Sequence, residues 1–251
     1  MASILVFGDA RFASPFLAAL PASCSVLLHG ADPSAIAGSA TVTPFADGAE
    51  PPADLSAVID LRYDRASRAG TLDIIRRACS SGIPLITNSL AITATETASE
   101  LDGVAVVGIS YVPALFSSAT LLEVAPALQT GQEAASAAIA LLAELTGRQI
   151  EIVTDRVALV SIRTLAMIVN EAAFALMEGV AGPNDIDIAM KLGTGYPEGP
   201  LRWADIIGPD IILAVLQALH DEYGEERYRP CVLLKQHVRA GKGLTDKTSK
   251  G

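Results

Sequence analysis

Short apolar runs alternate with helix-period segments through roughly the first 150 residues, and beyond Asp155 the strand-type runs stop. This change of pattern constrains the fold more than any other feature. Alternating β and α segments predict an open parallel sheet faced with helices, whereas a helix-only remainder predicts a separate all-α unit. The strand-like runs cover residues 3–8, 24–30, 55–61, 83–88, 103–109 and 150–154, with helical stretches at about 12–20, 65–79 and 132–146. Residues 31–53, rich in Pro, Ala, Gly and Asp, are weakly patterned and read as a loop with one short strand at ATVTPF.

The helical remainder carries its own punctuation. Residues 157–179 place Leu165, Ile168, Val169, Ala172 and Leu176 at three- and four-residue spacing, which marks a long buried helix. Pro183 sits where a first-turn proline belongs, with Asp185 and Asp187 near the positive helix end. Pro209 opens another helix in the same way and Gly224 closes it. The predicted organisation is a doubly wound α/β domain over 1–154 and an all-α domain over 155–251.

Composition narrows the partners. A net charge of −10 argues against nucleic acid and anionic membranes. It leaves room for an anionic small ligand, which needs only a local site. No apolar run reaches the ~18–20 residues of a membrane span. The opening MASILVFGD enters a strand pattern directly, so no signal peptide is expected. Cys24, Cys79 and Cys231 lack metal spacing and suit a reducing cytoplasm as buried thiols, and no metal site is expected.

A dinucleotide-binding turn uses three glycines to bring backbone, pyrophosphate and helix together. The loop after the first run reads Gly8-Asp9-Ala10-Arg11-Phe12-Ala13. Only the first glycine is present, and the Ala10 methyl stands where phosphates would approach the main chain. Asp9 brings negative charge to the same place, which Arg11 can offset. The acidic residue that would hold the adenosine ribose falls at His29, with Asp32 just beyond the strand. Gly8, Ala10, Arg11, Phe12, His29 and Asp60 are therefore the candidate cofactor positions.

The segment 170–210, NEAAFALMEGVAGPNDIDIAMKLGTGYPEGPLRWADIIGPD, together with Arg227-Tyr228-Arg229-Pro230, resembles the C-terminal domain of the 3-hydroxyacyl-CoA dehydrogenases. That resemblance implies a Rossmann-like N-terminal domain, NAD as cofactor and hydride transfer at the 3-position of an acyl-CoA. The family takes the alcohol proton with a histidine in a Gly-x-His-Phe-x-Asn-Pro motif, positioned by a glutamate some twelve residues later. Here the motif reads Gly108-Ile109-Ser110-Tyr111-Val112-Pro113, followed by Glu123. Glu123 matches the glutamate. Ser110 takes the histidine's place by motif, and Tyr111 by spacing back from Glu123. The chain's histidines are His29, His220 and His237, all remote from the motif.

The resemblance also implies substrate contacts at Asn88 and Ser89, in the turn Thr87-Asn88-Ser89-Leu90, and at Arg163. Ile162 stands where the family has an asparagine. GYPEGP reads as a turn between helices, and RYRP as an anchor of the last helix or a subunit contact. Lys235, Arg239, Lys242, Lys247 and Lys250 read as a solvated basic end. The chain looks like the degenerate second module of long, two-module family members. This implies a protein of acyl-CoA catabolism, weak or inactive alone, that serves as a structural or acyl-CoA-binding subunit. It would be homodimeric or paired with an active dehydrogenase. The alternatives are an active NAD-dependent enzyme using Ser110 or Tyr111 with Glu123, and a scaffold without ligand.

Overall fold

The computed structural model describes residues 2–246, so Lys247 and Lys250 of the basic end lie outside them. The chain divides into two compact units, Met1–Leu159 and Val160–Gly251.

The first unit is built on an eight-stranded sheet of order β3-β2-β1-β4-β5-β6-β7-β8. Its strands are β1 (Ser3–Phe7), β2 (Ser25–His29), β3 (Thr41–Pro44), β4 (Ala57–Asp60), β5 (Leu85–Asn88), β6 (Val106–Ile109), β7 (Leu121–Pro126) and β8 (Gln149–Ile152). Every neighbouring pair is parallel except β6 and β7. The central strands β4, β5 and β6 are buried throughout, as a parallel sheet covered on both faces requires. The edge strands β3 and β8 are mostly exposed and carry threonine, glutamine and glutamate, which suits edges. The strand order reverses direction at β1 and β4. That is the switch point, where crevices form outside the carboxyl ends of such strands.

The helices of this unit are α1 (Ala10–Ala18), α2 (Arg65–Arg68), α3 (Leu72–Ala78), α4 (Ala94–Glu100), α5 (Pro113–Phe116) and α6 (Gln132–Thr146). The single helix predicted over 65–79 is in fact α2 and α3, broken at Gly70. The break lets Arg68 turn inward. Three elements had no reading as such in the sequence: α4, α5 and the strand β7. In α4, Thr93 accepts from the Glu96 N–H, and Asp155 accepts from the N–H groups of Ala94 and Thr95 at 3.0 and 2.7 Å.

The second unit comprises α7 (Ser161–Met177), α8 (Pro183–Thr194), α9 (Pro200–Ile207), α10 (Pro209–Tyr223) and α11 (Val232–Ala240). The predicted first-turn prolines open α8 and α10, and a third, Pro200, opens α9. Helix α7 packs against α9, α10 and α11; Ile162, Ala166 and Val169 are buried on α7, and Leu201, Leu216 and Leu234 on its neighbours. It begins at Ser161 and not at Val157, because Ala158 and Leu159 adopt positive φ of 58° and 50°. Such left-handed backbone costs roughly 1–2 kcal/mol per residue for side chains bearing a Cβ.

Candidate functional site

The cleft at the switch point encloses about 630 Å³ and is lined by Gly8, Asp9, His29, Asp47, Arg62 and neighbours. The sequence folds this way because β1 ends at Phe7 and Asp9 caps the next helix. Its carboxylate accepts from the Phe12 N–H at 3.1 Å. A helix N-terminus attracts an anion, and here the chain supplies its own. The Gly8 N–H is also occupied, donating to the His29 carbonyl at 3.0 Å.

The other predicted cofactor positions are similarly committed. His29 Nε2 lies 2.7 Å from Asp47 Oδ1, and its ring packs on Phe7 with centroids 5.0 Å apart. Asp60 is buried and grips Arg62 through both oxygens, at 2.8 and 3.0 Å. Arg68 approaches the same carboxylate at 3.4 Å and donates to Thr87, Asn88 and Thr97. Burial holds the Arg68 guanidinium below the usual arginine range, an effect the charge of Asp60 opposes. Phe12 is buried and stacks on Tyr63, and the Arg11 guanidinium lies 5.6 Å from the Phe12 ring centre. Ala10 opens α1. The residues present fit the pyrophosphate of a dinucleotide poorly: the Gly8 and Phe12 amides are bonded within the chain, the Asp9 carboxylate stands beside them, and Ala10 replaces the second glycine.

The catalytic motif lies along β6 and β7. Antiparallel pairing brings Ser110 beside Glu123, whose main-chain carbonyl accepts from the Ser110 N–H at 3.2 Å. The Ser110 hydroxyl is buried without a hydrogen-bond partner, and so is that of Ser89. Gly108 faces Ser89 so closely that a Cβ would overlap the hydroxyl. Tyr111 lies in the core, not on a cleft wall. It is wholly buried against Phe12, Phe16 and Phe116, and its phenol donates to the Phe12 carbonyl at 2.6 Å. Burial pushes that phenol above the ordinary tyrosine range.

Asn88 is a clasp. Its amide donates to the carbonyls of Leu61 and Tyr111, both at 3.0 Å, and accepts from the Tyr111 N–H at 3.2 Å. In the helical unit Arg163 donates to the phenols of Tyr223 and Tyr228 and stacks on both rings. His237 is buried with Nδ1 2.7 Å from the Gly243 carbonyl oxygen, and His220 sits 4.0 Å from Asp221.

The turn GYPEGP is held by Asp187, whose carboxylate accepts from the N–H groups of Leu201 and Arg202 at 2.9 and 3.0 Å. Burial raises the Asp187 pKa, against the lowering effect of those two bonds. The RYRP segment is tied to α7 by Asn170, which donates to the Arg229 carbonyl and accepts from the Cys231 N–H. Asp47, Arg62, Arg68 and Asp155 went unread in the sequence. Asp47 lies in the unpatterned segment, and nothing in a lone arginine's spacing signals that it will be buried. Among the described residues no group of His, Cys, Asp or Glu is arranged to hold a metal, and no single helix is long and apolar enough to cross a membrane.

A doubly wound sheet followed in sequence by an all-α unit is the architecture of a Rossmann-like dehydrogenase fold. Residues 160–251 match the 3-hydroxyacyl-CoA dehydrogenase, C-terminal domain. The probable 3-hydroxybutyryl-CoA dehydrogenase of Bacillus subtilis is 36% identical over 190 residues, which is 74% of this chain and 64% of that protein. The 3-hydroxyadipyl-CoA dehydrogenase of Escherichia coli is 57% identical over 76 residues, 30% of this chain and 16% of that protein. The chain thus spans less than two thirds of the length of these relatives. Among solved structures, M. tuberculosis FadB2 aligns over 98% of both chains with a TM-score of 0.80 and 21% identity, a likeness of fold. Residues 160–251 thus belong to the 3-hydroxyacyl-CoA dehydrogenase C-terminal domain family, and the chain as a whole is similar to dehydrogenases of that family.

Proposed function

We propose that this chain serves acyl-CoA catabolism, of fatty or aromatic acids, as a cytoplasmic subunit that turns over weakly or not at all alone. It acts as a structural or acyl-CoA-binding partner, either as a homodimer or beside an active dehydrogenase. Hydride transfer from a 3-hydroxyacyl group requires a base to take the alcohol proton. The observation that carries the reading is Ser110. It occupies the motif position of the histidine, and its hydroxyl is buried and unpartnered. A serine hydroxyl beside a main-chain amide is no base at neutral pH. Tyr111 offers no substitute, because its phenol is enclosed and bonded to Phe12. The helical unit meanwhile keeps its turns, which supports a retained binding or assembly role.

The test is a steady-state assay with acetoacetyl-CoA and NADH. Turnover above about 1 s⁻¹, the low end of ordinary enzymes, would overturn the reading. Calorimetry with acetoacetyl-CoA distinguishes an acyl-CoA-binding subunit, which releases or takes up heat, from a scaffold, which does not.

A further inference from the structure

We infer that Asp47-Gly48 is a site of self-modification, where the main chain rearranges through a cyclic imide to isoaspartate with His29 as the proton donor. An aspartate followed by glycine is open to attack by the next main-chain nitrogen, because glycine has no Cβ to hinder the approach. The chain has two such steps, Asp47-Gly48 and Asp102-Gly103.

The two are matched in backbone. Each lies at the centre of a tight turn. Ala49 N–H donates to the Ala46 carbonyl at 3.2 Å in one, and Val104 N–H to the Leu101 carbonyl at 3.0 Å in the other. Gly48 and Gly103 have φ of 80° and 77°, and both aspartates are exposed.

They differ in anchoring and in chemistry. Buried Leu101 and Val104 pin the Asp102 turn, whereas Ala46 is exposed and Ala49 half-buried. An exposed loop tip with light anchoring can make the excursion that attack requires. At Asp47 there is also an imidazole, with His29 Nε2 2.7 Å from Oδ1. An ionised carboxylate only accepts, so Nε2 carries the proton. The chain's other histidines, His220 and His237, belong to the helical unit.

In the rearrangement Gly48 N bonds to Asp47 Cγ as the Cγ–Oδ1 bond breaks. Oδ1 leaves as water, with one proton from the His29 imidazolium and one from the Gly48 amide, and the imidazole is left neutral. Water then opens the imide. Attack at Cγ restores aspartate, whereas attack at the Asp47 main-chain carbonyl gives isoaspartate, with the chain routed through the side-chain carbon. A donor at the leaving oxygen is a general acid, worth roughly 10²–10⁴ in rate.

This inference goes beyond the proposed function and does not depend on it. The full chain is aged at neutral pH, and isoaspartate is read at both positions by peptide mapping with electron-transfer fragmentation. In the native chain position 47 converts at least about tenfold faster than position 102. In urea, where neither turn nor imidazole is held, the two convert at similar rates. His29→Gln keeps an N–H donor but cannot transfer its proton, so it slows position 47 at least about tenfold and leaves position 102 unchanged. The native and urea rates decide the matter even if that variant unfolds. The proposal is overturned if position 47 forms no isoaspartate, if position 102 converts as fast in the native chain, if the lead of position 47 persists in urea, or if folded His29→Gln converts at the parent rate.

Discussion

The phenol of Tyr111 donates to the main-chain carbonyl of Phe12 at 2.6 Å, across 99 residues of sequence and in complete burial. It ties the start of α5 to the first turn of α1, so the tyrosine of the motif serves packing. Tyr111→Phe keeps the ring and removes the phenol's bond to the Phe12 carbonyl. We expect it to lower stability by about 1 kcal/mol, as loss of a buried hydrogen bond does. Urea unfolding monitored by circular dichroism checks this, with the midpoint falling and the slope constant.

Ser110 gives the opposite expectation. Its hydroxyl is buried without a partner, and so carries a desolvation penalty with no compensating bond. Ser110→Ala is predicted to be neutral or stabilising, by up to about 1 kcal/mol. Any residual acetoacetyl-CoA reduction should stay within about twofold of the parent chain. A drop of a hundredfold or more, typical of a lost acid–base group, would make Ser110 catalytic.

Arg68 and Asp60 form a buried pair at 5% and 1% exposure. Replacing Arg68 with leucine removes one partner and leaves Thr87, Thr97 and the Asn88 carbonyl without their donor. Breaking a buried pair from one side costs about 3–5 kcal/mol. Arg62 still neutralises part of the Asp60 charge, so the lower end is expected. Thermal melting of the purified variant reads the loss directly.

Gly199 lies against Asp187 so closely that a Cβ would overlap its carboxylate. Gly199→Ala should therefore displace the cap of α9 and cost about 1–3 kcal/mol, the range for overpacking. Hydrogen exchange should show the amides of Leu201 and Arg202, which Asp187 holds, losing protection before the rest of the helical unit.

Burial pushes the Cys79 thiol up to about 12 and raises that of Cys24 as well. Only the thiolate attacks disulfide reagents, so near pH 8 the native chain should react slowly. All three cysteines are buried. Titration with a chromogenic disulfide should therefore detect the thiols in denaturant and almost none without it. Fast reaction of a native thiol would contradict the burial.

Much of the architecture was legible because periodicity and punctuation agree with the final packing. The prolines at 183 and 209 open α8 and α10, and residues 132–146 coincide with α6. Strand β7 was obscured because Glu123 drew notice only as the motif's glutamate, and because the strand's antiparallel direction departs from the βα alternation around it. The departures in the glycine loop, Ala10 and His29, were visible as residue types. What they do was not. Asp9 caps a helix by local geometry that many sequences share, and Asp47 reaches the cleft only through the pairing of β2 with β3. Long-range pairings of this kind leave no trace in local spacing.

Because Asp9 supplies from within the chain the negative charge that a helix start attracts, the first βα turn is complete before any ligand arrives. A bound cofactor stabilises a fold in proportion to the logarithm of its concentration over its dissociation constant. A first turn satisfied by its own sequence holds its geometry without that contribution, so the melting temperature of the chain is expected to be the same with and without NAD.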